Sequence, residues 1–160
     1  MKTCIIFHSY TGITRGIAER VKAACGGELL EVQPRQAYSK LTAYTTGCLR
    51  ARRGEADPID PEIIDAGFSD VIVLGTPVWA FKPTPAINGA ISALQNCDGK
   101  KAVIFATCGG QAGDTTTVIK KALEAKGVKV VAEFTFNKND VTDEKKIAEL
   151  VAAVKAAGPQ

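Results

Sequence analysis

The chain has 160 residues and a formal net charge of +3, with 46% hydrophobic and 23% charged residues, which is enough for one domain with its own core over residues 1–160. So weak a charge gives no case for nucleic-acid binding. One histidine and five cysteines without C-x-x-C spacing give none for a metal site or a disulfide framework, and no stretch approaches the roughly 20 apolar residues of a membrane span.

The apolar run Cys4–Phe7 reads as a buried strand. It is far too short for a secretory signal and polar residues follow it, so a cytoplasmic location is expected. A hydroxyl-rich loop, Ser9–Thr14, leads at once into a helical pattern with Ile13, Ile17 and Val21 four residues apart, expected over about Thr14 to Ala24. A strand that turns directly into a helix leaves amide N–H groups without partners at the helix start, and the helix dipole favours an anion there. Cys25-Gly26-Gly27 stops the helix, Glu28–Val32 reads as a second strand, and Pro34 ends it.

Residues 35 to 70 are the least regular. Leu41, Tyr44 and Cys48 recur at helical spacing, so a helix is expected over about Ala37 to Arg50, then an extended connection through Asp57-Pro58 and Asp60-Pro61, then a helical turn near Glu62 to Asp65. Charge is segregated here. Arg35, Lys40, Arg50, Arg52 and Arg53 form a basic block, and Glu55, Asp57, Asp60, Glu62, Asp65 and Asp70 an acidic one. The blocks either face each other or water, or the basic one docks an acidic partner or a cofactor phosphate.

Val71–Leu74 is a strand buried on both faces, followed by a loop, Gly75 to Pro83. A helix from about Pro85 turns Ile87, Ile91 and Leu94 inward. Ala102–Ala106 is a fourth strand, with the loop Thr107–Gly113 after it. A helix carrying Val118, Ile119, Ala122 and Leu123, a fifth strand over Lys129–Phe136 and a last helix from near Thr142 complete the chain. Strand and helix alternate five times. That makes the sheet parallel, with helices on both faces.

The loop Ser9-x-Thr11-Gly12-x-Thr14, with Thr-Pro-Val-Trp after the third strand and Thr-Cys-Gly-Gly after the fourth, resembles the flavodoxin-like family, whose first loop binds the phosphate of FMN. The resemblance covers essentially the whole chain. It implies an α/β fold of three layers, a doubly wound five-stranded parallel sheet in the order 2-1-3-4-5, and FMN as cofactor. Loops after strands 1, 3 and 4 then converge where strand order reverses, the place where such sheets bind ligands. The candidate cofactor-binding residues are therefore Ser9, Tyr10, Thr11, Gly12, Ile13 and Thr14; Thr76, Pro77, Val78, Trp79, Ala80 and Phe81; and Thr107, Cys108, Gly109, Gly110 and Gly113. Trp79, the sole tryptophan, offers a planar face for the flavin ring. The turn Val78–Phe81 lacks the glycine often found there in the family, so a positive φ would cost Ala80 on the order of 1 kcal/mol. Many members also carry a tyrosine in the third loop. None stands between Thr107 and Thr117, which leaves the second ring face open to a substrate. No catalytic residue and no metal ligand is expected.

Other users of this topology fail on chemistry. A receiver domain needs acids after strand 1 and an aspartate after strand 3, where this chain has His8-Ser9 and Thr76-Pro77. A small tyrosine phosphatase needs Cys-x5-Arg, but Tyr10 stands six residues after Cys4. A dinucleotide site needs three glycines where Gly12 stands alone. The resemblance implies an FMN protein that carries electrons between redox partner proteins, with an acidic partner docking on Arg35–Arg53. The alternative is an FMN-dependent NAD(P)H:quinone or similar oxidoreductase. The weak positive charge departs from the strong acidity usual in electron-shuttling flavodoxins.

Overall fold

The computed structural model describes all residues, Met1–Gln160. Five strands carry the sheet: β1 (Thr3–Phe7), β2 (Glu28–Glu31), β3 (Val71–Trp79), β4 (Lys101–Thr107) and β5 (Lys129–Phe136). All neighbouring pairs are parallel and the order across the sheet is β2-β1-β3-β4-β5, which is the expected 2-1-3-4-5. Five helical segments complete the three layers. They are α1 (Ile13–Cys25), α2 (the consecutive pieces Lys40–Thr42, Ala43–Gly47 and Cys48–Arg52, the middle one a π turn), α3 (Pro85–Ala93), α4 (Thr115–Glu124) and α5 (Glu144–Ala157).

Strand alternation splits the core in two. Cys4, Ile6, Ile72, Leu74 and Ile104 point to the face covered by α3 and α4, where Ile87, Ile91, Ile119 and Leu123 meet them. Ile5, Phe7, Val73, Val103 and Phe105 point to the other face, against Ile17 and Val21 of α1 and Ile147, Leu150 and Val154 of α5. Apolar side chains on both faces of one sheet are what crossover helices require.

Register sets the site. Phe7 lies beside Gly75, and Pro77 beside Thr107, so β1, β3 and β4 end at nearly one level. β3 is longer than the sequence suggests. It runs through Thr76-Pro77-Val78-Trp79 and turns back at Ala80-Phe81, with Trp79 paired to Lys82 and Val78 to Pro83. The expected loop Gly75–Pro83 is thus strand and hairpin. Pro77 falls where β3 has already lost its β1 neighbour, a place where a sheet tolerates a missing N–H.

Two further expectations give way. No helical turn forms at Glu62–Asp65; Ile64–Asp65 is extended and pairs with Leu94–Gln95. Ile64 is buried in the core there, and Asp65 Oδ1 accepts from Gly67 N and Asn96 Nδ2 at 2.8 and 2.9 Å, so tertiary contacts override local preference. α2 starts later than Ala37, capped by Ser39, whose Oγ accepts from Thr42 N at 3.1 Å. Its buried face is Ala43, Gly47 and Ala51, whereas Leu41 and Tyr44 are 72% and 76% exposed. The small residues, not the large apolar ones, face the sheet.

Candidate functional site

Above the strand ends lies a cleft of about 800 Å³. Its floor is the turn from β1 to α1. Gly12 is the N-cap of α1 in the left-handed region, φ 93°, and it offers no capping side chain. Ser9 is buried beneath the turn, where its Oγ accepts from Gly12 N at 3.1 Å and Arg15 N at 3.2 Å. The N–H groups of Tyr10, Thr11, Ile13 and Thr14 donate to no protein acceptor. Ser9 therefore shapes the turn, and four amides of cleft-lining residues are left unpartnered at the positive end of a 13-residue helix. Thr14 Oγ1 bonds Thr107 Oγ1 at 2.8 Å, tying the turn to the end of β4. The turn has no cation of its own, and Arg15 beside it is held by Glu31 in a two-point pair, with Nε to Oε2 at 2.9 Å and Nη2 to Oε1 at 2.5 Å.

Trp79 forms the second wall. Its ring meets those of His8, Tyr10 and Tyr38 at centroid distances of 5.9, 5.6 and 5.3 Å, each close to perpendicular. Gly47 of α2 lies so near that a Cβ there would stand 2.8 Å from Trp79 Cζ3. Tyr38 is fixed in turn by Asp57, whose carboxylate accepts its hydroxyl at 2.7 and 2.9 Å. Burial, then that carboxylate, raises the Tyr38 phenol above its ordinary value. His8 sits at the end of β1 with Nδ1 2.9 Å from Thr84 Oγ1, and burial lowers its pKa from 6.5 to about 4. It is a neutral packing group at physiological pH.

The hairpin turn above Trp79 has positive φ at both central residues, 50° at Ala80 and 66° at Phe81. That is the geometry which normally selects Asn-Gly. It is held from the Gly113 side, where the turn packs so closely that a Cβ would stand 2.5 Å from Phe81 Cβ. Lys82 Nζ reaches Asp114 at 2.6 Å.

Of the residues singled out by sequence, Tyr10, Thr11, Ile13, Thr14, Pro77, Val78, Trp79, Ala80, Thr107, Cys108 and Gly109 line the cleft. Ser9, Gly12 and Gly113 act behind its wall. Thr76 is buried, donating to Pro77 O and accepting from Thr84 N. Phe81 stands 59% exposed at the turn, and Gly110, whose carbonyl accepts from Cys108 Sγ, is off the wall. Sequence reasoning missed Lys40, Ala43, Tyr44 and Cys48 of α2, and Lys138 and Val141 beyond β5. The spacing of Ala43, Gly47 and Ala51 could have shown that α2 packs closely; nothing local marks Lys138. Burial, the largest cause for each, raises the Cys48 and Cys108 thiols, so neither is an activated nucleophile.

The Flavodoxin family model matches residues 2–152. The chain belongs to the flavodoxin family. Among curated proteins no sequence matches it significantly. Solved structures do. A protein from Bacteroides eggerthii DSM 20697 designated a flavoprotein is 27% identical, with TM-score 0.79 over 96% of this chain and 98% of that one. A flavoprotein from Lactobacillus acidophilus NCFM, solved in complex with FMN, is 23% identical with TM-score 0.72 over 92% and 98%. The two-electron reduced flavodoxin of Megasphaera elsdenii is 21% identical with TM-score 0.63 over 97% and 99%. FMN is the cofactor of the flavodoxin family, and the residues present fit it. Four free amides and the Thr11 hydroxyl suit a terminal phosphate, the cleft's lining is mainly apolar beside one indole, and no carboxylate faces into it.

Proposed function

We propose that this flavodoxin binds one FMN, and not FAD, and passes electrons between redox partner proteins. The observation that carries the reading is the β1–α1 turn: four unpartnered amides around a left-handed Gly12, opening on a cleft walled by Trp79. Thr11, Ile13 and Thr14 hold the phosphate from the cleft face of the turn, and Ser9 and Gly12 shape the turn beneath them. Thr76 to Phe81 flank the ring, and the loop Thr107, Cys108, Gly109, Gly110 to Gly113 borders its polar edge. Bound FMN supplies reversible uptake of one or two electrons. The chain supplies fixed donors, a rigid aromatic wall and exclusion of water on that side.

Titration of the apoprotein with FMN, riboflavin and FAD, followed by Trp79 emission, tests this. Strong quenching at one equivalent of FMN is expected; unchanged emission at saturation counts against Trp79 as the ring's neighbour. The basic block Arg35–Arg53 is the docking face for an acidic partner. Glu62 holds Arg35, and Asp57 and Glu55 hold Arg50, so Lys40, Arg52 and Arg53 carry its free charge. Electron transfer to that partner then slows with rising salt, and a flat salt profile removes the assignment.

A second reading, direct oxidation of NAD(P)H with a quinone or similar acceptor, is favoured by Tyr44, which lines the cleft while 76% exposed. No tyrosine comes from the Thr107–Thr117 loop to cover the site. An NADH and NADPH oxidation assay on the FMN-loaded protein separates the two readings.

A further inference from the structure

Two charged side chains line the cleft, Lys40 at the start of α2 and Lys138 beyond β5, and both are cations. Neither forms an ion pair. Nearby cations differ in this respect: Arg15 is held by Glu31, Arg50 by Asp57, Lys82 by Asp114 and Lys146 by Asp140. Uncompensated charge of one sign around a concave site raises the local concentration of anions. The phosphate of FMN does not require these lysines, because the β1–α1 turn already offers it four amides. The two come from different elements, one on the α2 wall and one beside Cys108 and Gly109.

The apolar surface around them is also unusual. Tyr10, Ile13 and Tyr44 line the same cleft, yet 39%, 47% and 76% of their surface is exposed. Large apolar side chains left in water singly need no explanation, but three gathered at one concavity mark a ligand groove. Flat rings and a branched aliphatic side chain match a flat apolar body; two free ammonium groups match a negative charge on it.

We propose that the mouth of the cleft is a binding site for a planar anionic small molecule, an aromatic carboxylate or an ionised hydroxyquinone. Lys40 and Lys138 receive its charge, and Tyr10, Ile13 and Tyr44 receive its ring. The inference rests on the FMN reading in one respect, that a molecule held here is placed as an electron partner of the flavin; binding itself does not depend on it.

The test has two arms. In the first, Trp79 of the apoprotein reports the potential in the cleft through quenching by iodide, caesium and neutral acrylamide, each normalised to free N-acetyltryptophanamide. Iodide is expected to be favoured over caesium, and Lys40→Gln with Lys138→Gln is expected to abolish the preference while acrylamide quenching stays unchanged. In the second arm, naphthalene-2-carboxylate and the neutral naphthalene-2-carboxamide are titrated calorimetrically into the FMN-loaded protein. The carboxylate is expected to bind about tenfold more tightly at low salt, the lower end of what focused charge produces, and the double variant is expected to lose that advantage. Equal binding of the two probes, or no iodide preference, overturns the proposal. So does a double variant that weakens FMN but spares riboflavin, since the lysines would then belong to the phosphate. If the protein fails to take up FMN, the cofactor reading fails while the iodide arm still judges the lysines.

Discussion

The cleft has two walls built on opposite principles. The β1–α1 turn does its chemistry with backbone. Ser9 Oγ takes up two amides, Gly12 supplies the left-handed residue, and four N–H groups are left free. Every one of these features follows from residues within one turn of chain. The α2 wall works by what it lacks. Ala43, Gly47 and Ala51 let the helix close on the sheet, Gly47 seats Trp79, and the larger Leu41 and Tyr44 are turned outward. A wall of the first kind is local in sequence; a wall of the second kind has meaning only against its partner.

The largest expected effect comes from attacking the first wall. Thr11→Ala with Thr14→Ala removes the Thr11 hydroxyl donor, worth roughly 1.5–3 kcal/mol toward a charged acceptor, together with the Thr14–Thr107 hydrogen bond that ties the turn to β4. FMN affinity is expected to fall about 100-fold or more and riboflavin affinity far less. Tyr44→Ala, on the second wall, is expected to weaken both ligands alike, because it touches no phosphate donor. Equal losses of FMN and riboflavin in the threonine variant would erase the distinction between the walls. Titration by flavin fluorescence reads both.

His8 joins the walls, standing at the end of β1 with its ring against Trp79. Its pKa falls from 6.5 to about 4 on folding, through burial. Below 6.5 the unfolded chain takes up a proton that the folded chain refuses. The stability due to neutral His8 is therefore complete above 6.5, declines as pH falls, and is gone below 4. The gap corresponds to about 3 kcal/mol. Urea denaturation at pH 7 and pH 4.5 is expected to show a smaller loss for His8→Asn than for the unmodified protein. Equal losses would show that His8 is hydrated in the native state.

How much of this was legible follows the same division. The parallel alternation of strand and helix could be read because the first, third and fourth strands hold continuous apolar runs and the crossovers carry helical stripes; the strand order came from the resemblance to the flavodoxin-like family. The β1–α1 turn could be read because hydroxyls and glycine stand at fixed offsets. The α2 helix was expected from the spacing of Leu41, Tyr44 and Cys48, but its packed face, Ala43, Gly47 and Ala51, is made of small residues whose role shows only against Trp79. Ile64–Asp65 failed for a related reason: an extended pairing with Leu94–Gln95 cannot be seen from residues 62 to 65 alone. Lys138 reached the cleft only through the closing of β5 on β4.

Glycine substitutions sharpen the contrast at the next scale. A Cβ at Gly47 meets Trp79 Cζ3 at 2.8 Å and Tyr38 Cε1 at 3.2 Å, with an ordinary helical φ. Gly47→Ala is expected to cost about 1–3 kcal/mol by overpacking and to shift Trp79 emission as the ring moves. A Cβ at Gly12 has room, its nearest neighbour being Arg15 Nη1 at 3.6 Å, but φ is 93°. Gly12→Ala is expected to cost about 1 kcal/mol through backbone strain and to leave Trp79 emission unchanged. The same methyl thus separates contact from conformation. Chemical denaturation with Trp79 fluorescence measures both, and an emission shift in Gly12→Ala would contradict the assignment.

The smallest effect concerns the hairpin where the walls meet. Ala80 and Phe81 both hold positive φ, and an L-residue there gives up roughly 1–2 kcal/mol relative to right-handed backbone. Glycine at position 80 would release that strain, but it also widens the unfolded ensemble, which returns about 0.4–1 kcal/mol. The balance favours Ala80→Gly by about 0.5 kcal/mol, or about 1–2 °C in melting temperature for a chain of this size. Position 81 should not follow, because Phe81 Cβ and backbone rest on Gly113; Phe81→Gly gives up that packing and is expected to gain nothing. The two variants differ in sign only if the turn is pinned from the Gly113 side and strained on the other. Calorimetry of both, in the same buffer, decides it. A lower melting temperature for Ala80→Gly would mean that the left-handed backbone at position 80 is not what strains the turn.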